Sequence, residues 1–261
     1  MKNKLILGLG IFLAFLSSNC MERPHRRHGP TPVDIRKIGI LSWGSIVRDP
    51  RDLKIQGSFE KSALKLPIEL VRLSGKGTPK QRITRIIDRE EGVPLSIWHA
   101  TSSDTFLPAA RANLQEREGT VLGNIFYIKT MLPNRTPDSN EKAIVDASRR
   151  PVKDVNGRPW FIVDKGADQL SSNDILSLAN WASQQGYDAV MWTGLGRTSG
   201  YESIDSLKKL LASDRNTANN TVEYIKNGPA GVPTISPFQS RQESELTPFE
   251  MYILNKYAAL E

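Results

Sequence analysis

Short apolar runs separated by turn-forming residues are the main pattern of the chain from Ile38 onward. Runs of four to eight apolar or β-branched residues bounded by glycine, proline or asparagine predict buried strands. The predicted strands are Ile38–Leu41, Pro67–Leu73, Arg82–Ile87, Pro94–Ala100, Val121–Thr130, Pro159–Val163 and Tyr187–Thr193. Residues 52–65 are polar and include Gly57, which predicts a long connection instead of a strand.

Apolar residues recur at helical spacing in five other segments. The predicted helices are Asp104–Arg117, Ser171–Gly186, Ser203–Ala212, Thr221–Lys226 and Thr247–Leu260. Ser102 or Ser103 would cap the first helix, and Gly119 would follow its end. Because strands and helices alternate irregularly, the pattern predicts an α+β fold in which helices surround a mixed β-sheet or barrel. No repeat or second core is visible, so residues 34–261 are predicted to form a single domain.

The first twenty residues have the pattern of a processing segment. Lys2 and Lys4 precede the apolar run Leu5–Leu16, which is too short to cross a bilayer comfortably. Cys20, the only cysteine, excludes an internal disulfide. LSSNC resembles a bacterial lipobox, although Leu16 lies four positions before the cysteine and Asn19 replaces glycine or alanine. The resemblance implies a signal peptide at 1–20 and a lipoprotein with palmitate-type acylation on Cys20.

Residues 21–33 are predicted to be a flexible basic tether, because they contain three prolines and almost no apolar side chain. Such an anchored chain would lie in the cell envelope, with the outer membrane favoured over the inner. The formal net charge is +7, and removing the first twenty residues removes Lys2 and Lys4 and leaves +5. No long basic face accompanies this excess, so nucleic acid is not expected as a partner.

The residue inventory excludes several kinds of chemistry. His25 and His28 lie in the tether without a further ligand nearby, so no metal site is expected. His99 is the only histidine in the folded part, and it lacks the G-x-S-x-G motif of a serine hydrolase. The chain has neither a P-loop nor a dinucleotide fingerprint. Acid–base work by a carboxylate, helped by backbone N–H groups, is the chemistry that remains.

Two segments could supply this chemistry together. The strand at Ile38 breaks at Trp43-Gly44-Ser45-Ile46, where Gly44 can take backbone angles closed to other residues so that successive N–H groups converge. A tight turn without function would leave the same pattern. The second segment, Leu114–Gly119, ends a helix with the sequence LQEREG and can project Glu118 toward the sheet. An ordinary exposed helix end would also look like this.

The two segments resemble the gamma-glutamylcyclotransferase-like family, in which a strand runs into [F/Y]-G-S-[N/L] and a later helix ends L-x-x-x-E-G. Most of the folded region is also similar to an uncharacterised bacterial branch with patterns such as WGSLIWDP, LPVEFAR and DAVVWT. Here these segments are WGSIVRDP, LPIELVR and DAVMWT. Trp43 replaces the family's usual tyrosine, and Ile46 fits the branch without asparagine.

The resemblance implies a site and a reaction. Glu118 would be the general base, and Trp43, Gly44, Ser45, Ile46 and Arg72 would bind a gamma-glutamyl compound that cyclises to 5-oxoproline. No cofactor or metal is needed for such a transferase or lyase reaction. Two alternatives to an enzyme stay open. In the first, the chain is a binding protein that keeps the pocket without turnover. In the second, it is a surface lipoprotein that contacts a host or envelope protein.

Overall fold

An eight-stranded mixed sheet organises the fold, and its order is β3-β2-β4-β1-β8-β5-β7-β6. The structure is a computed structural model, which describes residues 36–130, 151–163, 169–228 and 246–258. The strands are β1 Ile38–Ser42, β2 Ile55–Ser74, β3 Arg82–Ile87, β4 Val93–Ser102, β5 Ile125–Thr130, β6 Val152–Lys153, β7 Pro159–Val163 and β8 Ala189–Thr193. The sheet is open, with β3 and β6 at its two ends.

The middle of the sheet contains its one parallel pair among the described strands. β1 runs parallel to β8 and antiparallel to β4, and the other neighbouring strands are antiparallel. All five residues of β1 are buried, which explains its continuous apolar sequence. Because β1 and β8 are parallel, their C-terminal residues Ser42 and Thr193 lie at the same edge of the sheet.

Five α-helices lie within the described residues: α1 Leu107–Glu118, α2 Ser172–Gln184, α3 Ile204–Ser213, α4 Arg215–Lys226 and α5 Pro248–Tyr257. Helices α2, α3 and α5 begin with reciprocal capping boxes at Ser171, Ser203 and Thr247. Asp214 caps α4 through the Thr217 amide. Two single 3₁₀ turns, Ser45–Val47 and Leu122–Asn124, connect strands to neighbouring elements.

The apolar core has three parts. One cluster lies between the sheet and α2 and includes Trp160, Leu178 and Trp192. A second cluster lies between the sheet and α1, around Ile40 and Leu114. The third packs β2 and β3 against helices α3, α4 and α5. The last cluster attaches the C-terminal helices to the end of the sheet where β3 is the edge strand.

The predicted α+β class with a mixed sheet is confirmed, and of the sheet and barrel alternatives the structure has the open sheet. The connection predicted for residues 52–65 is wrong, because β2 extends through most of it. There Phe59, Ser62, Leu64 and Leu66 are buried while most residues between them are exposed. The pairing with β4 also shifts register twice, which breaks the simple alternation expected of a strand.

Two helix predictions also need correction. Helix α1 starts at Leu107 after Phe106, with no side-chain cap, so neither Ser102 nor Ser103 caps it. Helix α4 starts at Arg215 and is longer than the predicted Thr221–Lys226 segment, because asparagine and threonine lower the helical signal of its first turns. The end of α1 at Gly119 is confirmed, since this residue has the left-handed φ of +59°.

The predicted signal peptide at 1–20, with Cys20, and the tether at 21–33 lie outside the described residues. All described residues fall within one compact unit, and the single domain at 34–261 stays a prediction. Among the helices of the described part of the chain, none has the length and apolar character needed to cross a bilayer.

Candidate functional site

One cavity of about 370 Å³ contains every folded residue of the predicted site. Trp43, Gly44, Ser45, Ile46, Arg72 and Glu118 all line it. It lies at the edge of the sheet where the parallel strands β1 and β8 end, and β2 and β3 form another wall. The sequence segments that the resemblance pairs are therefore adjacent in space, although about seventy residues separate them along the chain.

The loop after β1 lines this cavity, and two of its backbone N–H groups have no acceptor among the described residues. Gly44 precedes the 3₁₀ turn Ser45–Val47, and the Val47 N–H donates to the Gly44 carbonyl. The N–H groups of Ser45 and Ile46 come first in the turn and donate to no other described residue, as expected for the start of a helical turn. The Ile46 side chain is buried in the core, so only its amide is available to a ligand.

The backbone of Gly44 differs from the expectation. Its φ of −138° lies outside the left-handed region, so it does not need the special angles that only glycine takes readily. The constraint is a close contact, because a Cβ atom at Gly44 would lie 3.0 Å from the hydroxyl oxygen of Tyr224 and would require a small shift of one of them. Glycine therefore lets helix α4 approach the loop closely.

Glu118 reaches the cavity from the last residue of α1, where Gly119 turns the chain away. Burial raises the pKa of the Glu118 carboxyl above its ordinary value, while Arg117, Arg51 and Arg72 and a hydrogen bond with Thr193 partly offset this rise. The Arg117 NH1 atom lies 3.1 Å from Glu118 Oε1. A raised pKa makes the Glu118 carboxylate a stronger proton acceptor than an exposed glutamate, which suits the role of a general base.

Arg117 joins the two predicted segments. Its Nε atom donates to the Asp49 carbonyl at 3.1 Å, its NH2 atom donates to the same oxygen, and its NH1 atom contacts Glu118. This guanidinium is buried and links the end of α1 to the chain just after the 3₁₀ turn. The contact holds the end of α1 against the residues that follow the loop.

Positive charge dominates the cavity. Arg72 lies there beside the Glu118 carboxylate, and burial lowers its pKa while Glu118 opposes that shift. Four further arginines line the same cavity, and sequence reasoning missed them: Arg51, Arg82, Arg85 and Arg117. Glu118 is the one carboxylate among the described lining residues. Arrangements of this kind favour an anionic ligand.

Arg85 stabilises the loop through a hydrogen bond of its backbone carbonyl. Its carbonyl accepts the Trp43 indole N–H at 3.3 Å, so this donor is already used within the protein. Its guanidinium is bound to Glu250 of α5, with Nε–Oε1 and NH2–Oε2 distances of 2.7 Å each. The charge of Arg85 is therefore balanced by Glu250. Arg72 forms no such ion pair within the described residues, so its guanidinium is more available to a ligand.

Tyr224 of α4 was also missed. It lines this cavity and a neighbouring one of about 420 Å³, and Ser45 and Arg82 line both as well. The sequence carried a weak signal for the arginines, since Arg82 and Arg85 interrupt a short β-prone segment that also contains Ile83, Ile86 and Ile87. It did not place Tyr224 at the site, because contact between α4 and the loop depends on tertiary packing.

The described residues contain no group of three or more His, Cys, Asp or Glu side chains able to hold a metal ion. Comparisons of the chain with models of known protein families, with curated proteins and with solved structures found no match.

Proposed function

We propose that the cavity cyclises a gamma-glutamyl compound, releasing 5-oxoproline and an amine, and that the fold is of the gamma-glutamylcyclotransferase-like type. The observation that carries the proposal is that Glu118, Ser45 and Ile46 line one cavity together with five arginines. A base and an anion-binding group on opposite sides of one ligand are what this intramolecular attack requires.

The substrate's α-carboxylate would accept hydrogen bonds from the loop amides, and Arg72 would provide a further charged contact. Glu118 takes a proton from the α-ammonium group, and the freed nitrogen attacks the γ-carbonyl carbon. The bond between that carbon and the departing nitrogen then breaks. Overall, two protons move from the α-nitrogen to the departing nitrogen, which leaves as an ammonium ion. Arg117 holds the Glu118 carboxylate in place during these transfers.

Glu118→Gln tests this role, because glutamine keeps the shape of the side chain and cannot accept the proton. General-base help contributes about 10²- to 10⁴-fold, so 5-oxoproline release from a panel of gamma-glutamyl amides should fall by that factor. Glu116→Gln is the matched control, since Glu116 is an exposed residue of the same helix. Unchanged turnover in Glu118→Gln would refute the assigned role.

An anion-binding protein without turnover is the second candidate. Five arginines and one carboxylate line the cavity, and with Arg85 paired to Glu250 four guanidinium groups remain for one carboxylate. This excess favours anion binding, because catalysis of the cyclisation does not require so much positive charge. Calorimetry with glutarate or glutamate would detect such binding directly. Binding without 5-oxoproline release from any gamma-glutamyl amide would favour this candidate.

Attachment to a membrane through Cys20 is part of the proposal and rests on the lipobox-like sequence LSSNC. Two or more acyl chains give stable anchoring, where one chain is marginal. Labelling of bacterial cells that express the chain with a palmitate analogue should modify the wild-type protein and spare Cys20→Ser. Fractionation of the same cells would separate inner from outer membrane, and a labelled Cys20→Ser variant would contradict the assignment.

A further inference from the structure

We propose that helix α4 completes the site and that the Tyr224 hydroxyl donates a third hydrogen bond to the anionic group held by the Ser45 and Ile46 amides. The inference deepens the proposed function and rests on it for the identity of the ligand. It assigns a binding role to the C-terminal part of the chain, which the resemblance leaves without one.

The position of Tyr224 relative to the loop is the first argument. The hydroxyl oxygen would be 3.0 Å from a Cβ atom at Gly44, so it stands directly beside the residue that precedes both free amides. Tyr224 lines the same cavity as Ser45, Ile46 and Glu118. A small anion that bridges the loop amides would therefore lie next to this hydroxyl.

The second argument concerns the hydroxyl hydrogen. The Tyr224 oxygen accepts the Arg85 backbone N–H at 3.4 Å, which occupies one lone pair and leaves the hydrogen to be donated elsewhere. Within the described residues that hydrogen has no protein acceptor. Burial raises the pKa of the Tyr224 phenol, so the hydroxyl stays protonated at neutral pH and remains a donor.

The neighbours of Tyr224 fix its ring in this orientation. The guanidinium carbon of Arg82 lies 5.6 Å from the centre of the Tyr224 ring, in a cation–π contact. One turn earlier on α4, Thr221 accepts the Ile83 N–H at 3.0 Å and ties the helix to β3. A donor held in place by its neighbours loses little freedom when it binds a ligand.

Tyr224→Phe tests the inference, and the probe is 5-oxoproline, the product of the proposed reaction. A hydrogen bond to a charged group contributes enough that its loss should weaken binding about ten- to a hundred-fold. Tyr252→Phe is the matched control, because Tyr252 lies on α5, lines neither cavity and accepts a hydrogen bond from Lys256. Its affinity for 5-oxoproline should equal that of the wild-type chain.

A double variant separates binding from a merely structural role. Gly44→Ala should lower the melting temperature of the wild-type chain, because the new methyl group would lie 3.0 Å from the Tyr224 hydroxyl oxygen, and should lower that of the Tyr224→Phe chain by less. Tyr224→Phe itself removes the acceptor of the Arg85 N–H, so the comparison is between chains that share this loss. A smaller loss of stability with 5-oxoproline binding still weakened would support the inference. Wild-type affinity in the double variant would show that the hydroxyl serves packing alone and would overturn it.

The outcomes also distinguish this inference from the proposed function. If Tyr224→Phe binds 5-oxoproline as tightly as the wild type, or if the wild type binds none, the inference is wrong. If binding depends on Tyr224 and no gamma-glutamyl amide is turned over, the inference stands and the proposed reaction fails.

Discussion

Arg85 and Glu250 form a two-point ion pair that joins the edge strand β3 to the C-terminal helix α5. Both nitrogen–oxygen distances are 2.7 Å, and the exposed fractions of the two side chains are 7% and 0%. Glu250 also accepts the Thr247 N–H as part of the α5 capping box. The Arg85 backbone is hydrogen-bonded to both Trp43 and Tyr224, so this ion pair connects α5 to two residues that line the site.

Glu250→Gln should lower the free energy of unfolding by about 3–5 kcal/mol, because it leaves the buried Arg85 without a compensating charge. Urea denaturation of the full chain measures this loss. Asp205→Asn is the control, since Asp205 pairs with Lys208 at 3.4 Å where the two side chains are 82% and 39% exposed. Such a surface pair contributes at most about 1 kcal/mol. Equal losses in both variants would contradict the ranking.

Glu69 makes the stability depend on pH. Burial raises the pKa of its carboxyl from 4.5 to about 7, while hydrogen bonds from Thr247 and from the Leu70 amide oppose the rise. The folded chain therefore holds a proton that the unfolded chain releases between these two values, and stability should fall as pH rises from about 4.5 to about 7.

Glu69→Gln isolates this contribution. As pH rises through that window, the unfolding free energy of the wild type should fall relative to that of Glu69→Gln by something on the order of 3 kcal/mol. Above pH 8 the difference should stay constant. Parallel stability–pH curves for the two proteins would show that Glu69 has an ordinary pKa.

Arg72→Met should affect both ligand binding and the pH profile of turnover. Removing this cation weakens binding of an anionic substrate and raises the pKa of Glu118 further, because Arg72 is one of the groups that lower it. KM should rise about tenfold or more, and the acid limb of kcat/KM should move to higher pH. Arg89→Met is the control, because Arg89 is exposed and does not line this cavity. An acid limb of kcat/KM at the same pH as in the wild type would show that Arg72 does not affect the pKa of Glu118.

Gly119→Ala should cost about 1–2 kcal/mol of stability, because φ at this position is +59° and an alanine is strained there. Thermal or urea unfolding measures the loss. Gly123→Ala is a close control: an added Cβ meets nothing within 4 Å at either position, and Gly123 lacks a positive φ. The difference between the two variants thus reports backbone strain alone, and equal stability would argue against the left-handed end of α1.

The sequence carried enough information to locate most strands and helices, because buried strands such as β1 and capped helices such as α2 have strong local signals. It failed for the first half of β2, because the many solvent-facing polar side chains there are typical of a loop. Two register shifts in the pairing with β4 also interrupt the regular alternation of buried positions. The juxtaposition of Glu118 with the loop was reached through family resemblance. Periodicity alone could not have indicated it, because the contacts of Arg117 with Asp49 depend on the tertiary structure.

The arginines of the cavity show a different limit. The sequence assigns Arg82 and Arg85 to a strand, but which arginine stays available to a ligand depends on distant partners such as Glu250. Gly44 shows a further limit. Its need for a hydrogen in place of a side chain comes from Tyr224, which lies on a helix 180 residues later in the chain.

Helix α4 has one more consequence, for the solubility of the protein. Thr221 and Tyr224 accept the outward N–H groups of Ile83 and Arg85, so two side-chain oxygens take the place of the carbonyl groups that another strand would offer to β3. Without α4 these amides would be uncovered, and an uncovered edge can pair with a strand of a second molecule. A chain cut before Arg215 should therefore self-associate, which light scattering would detect.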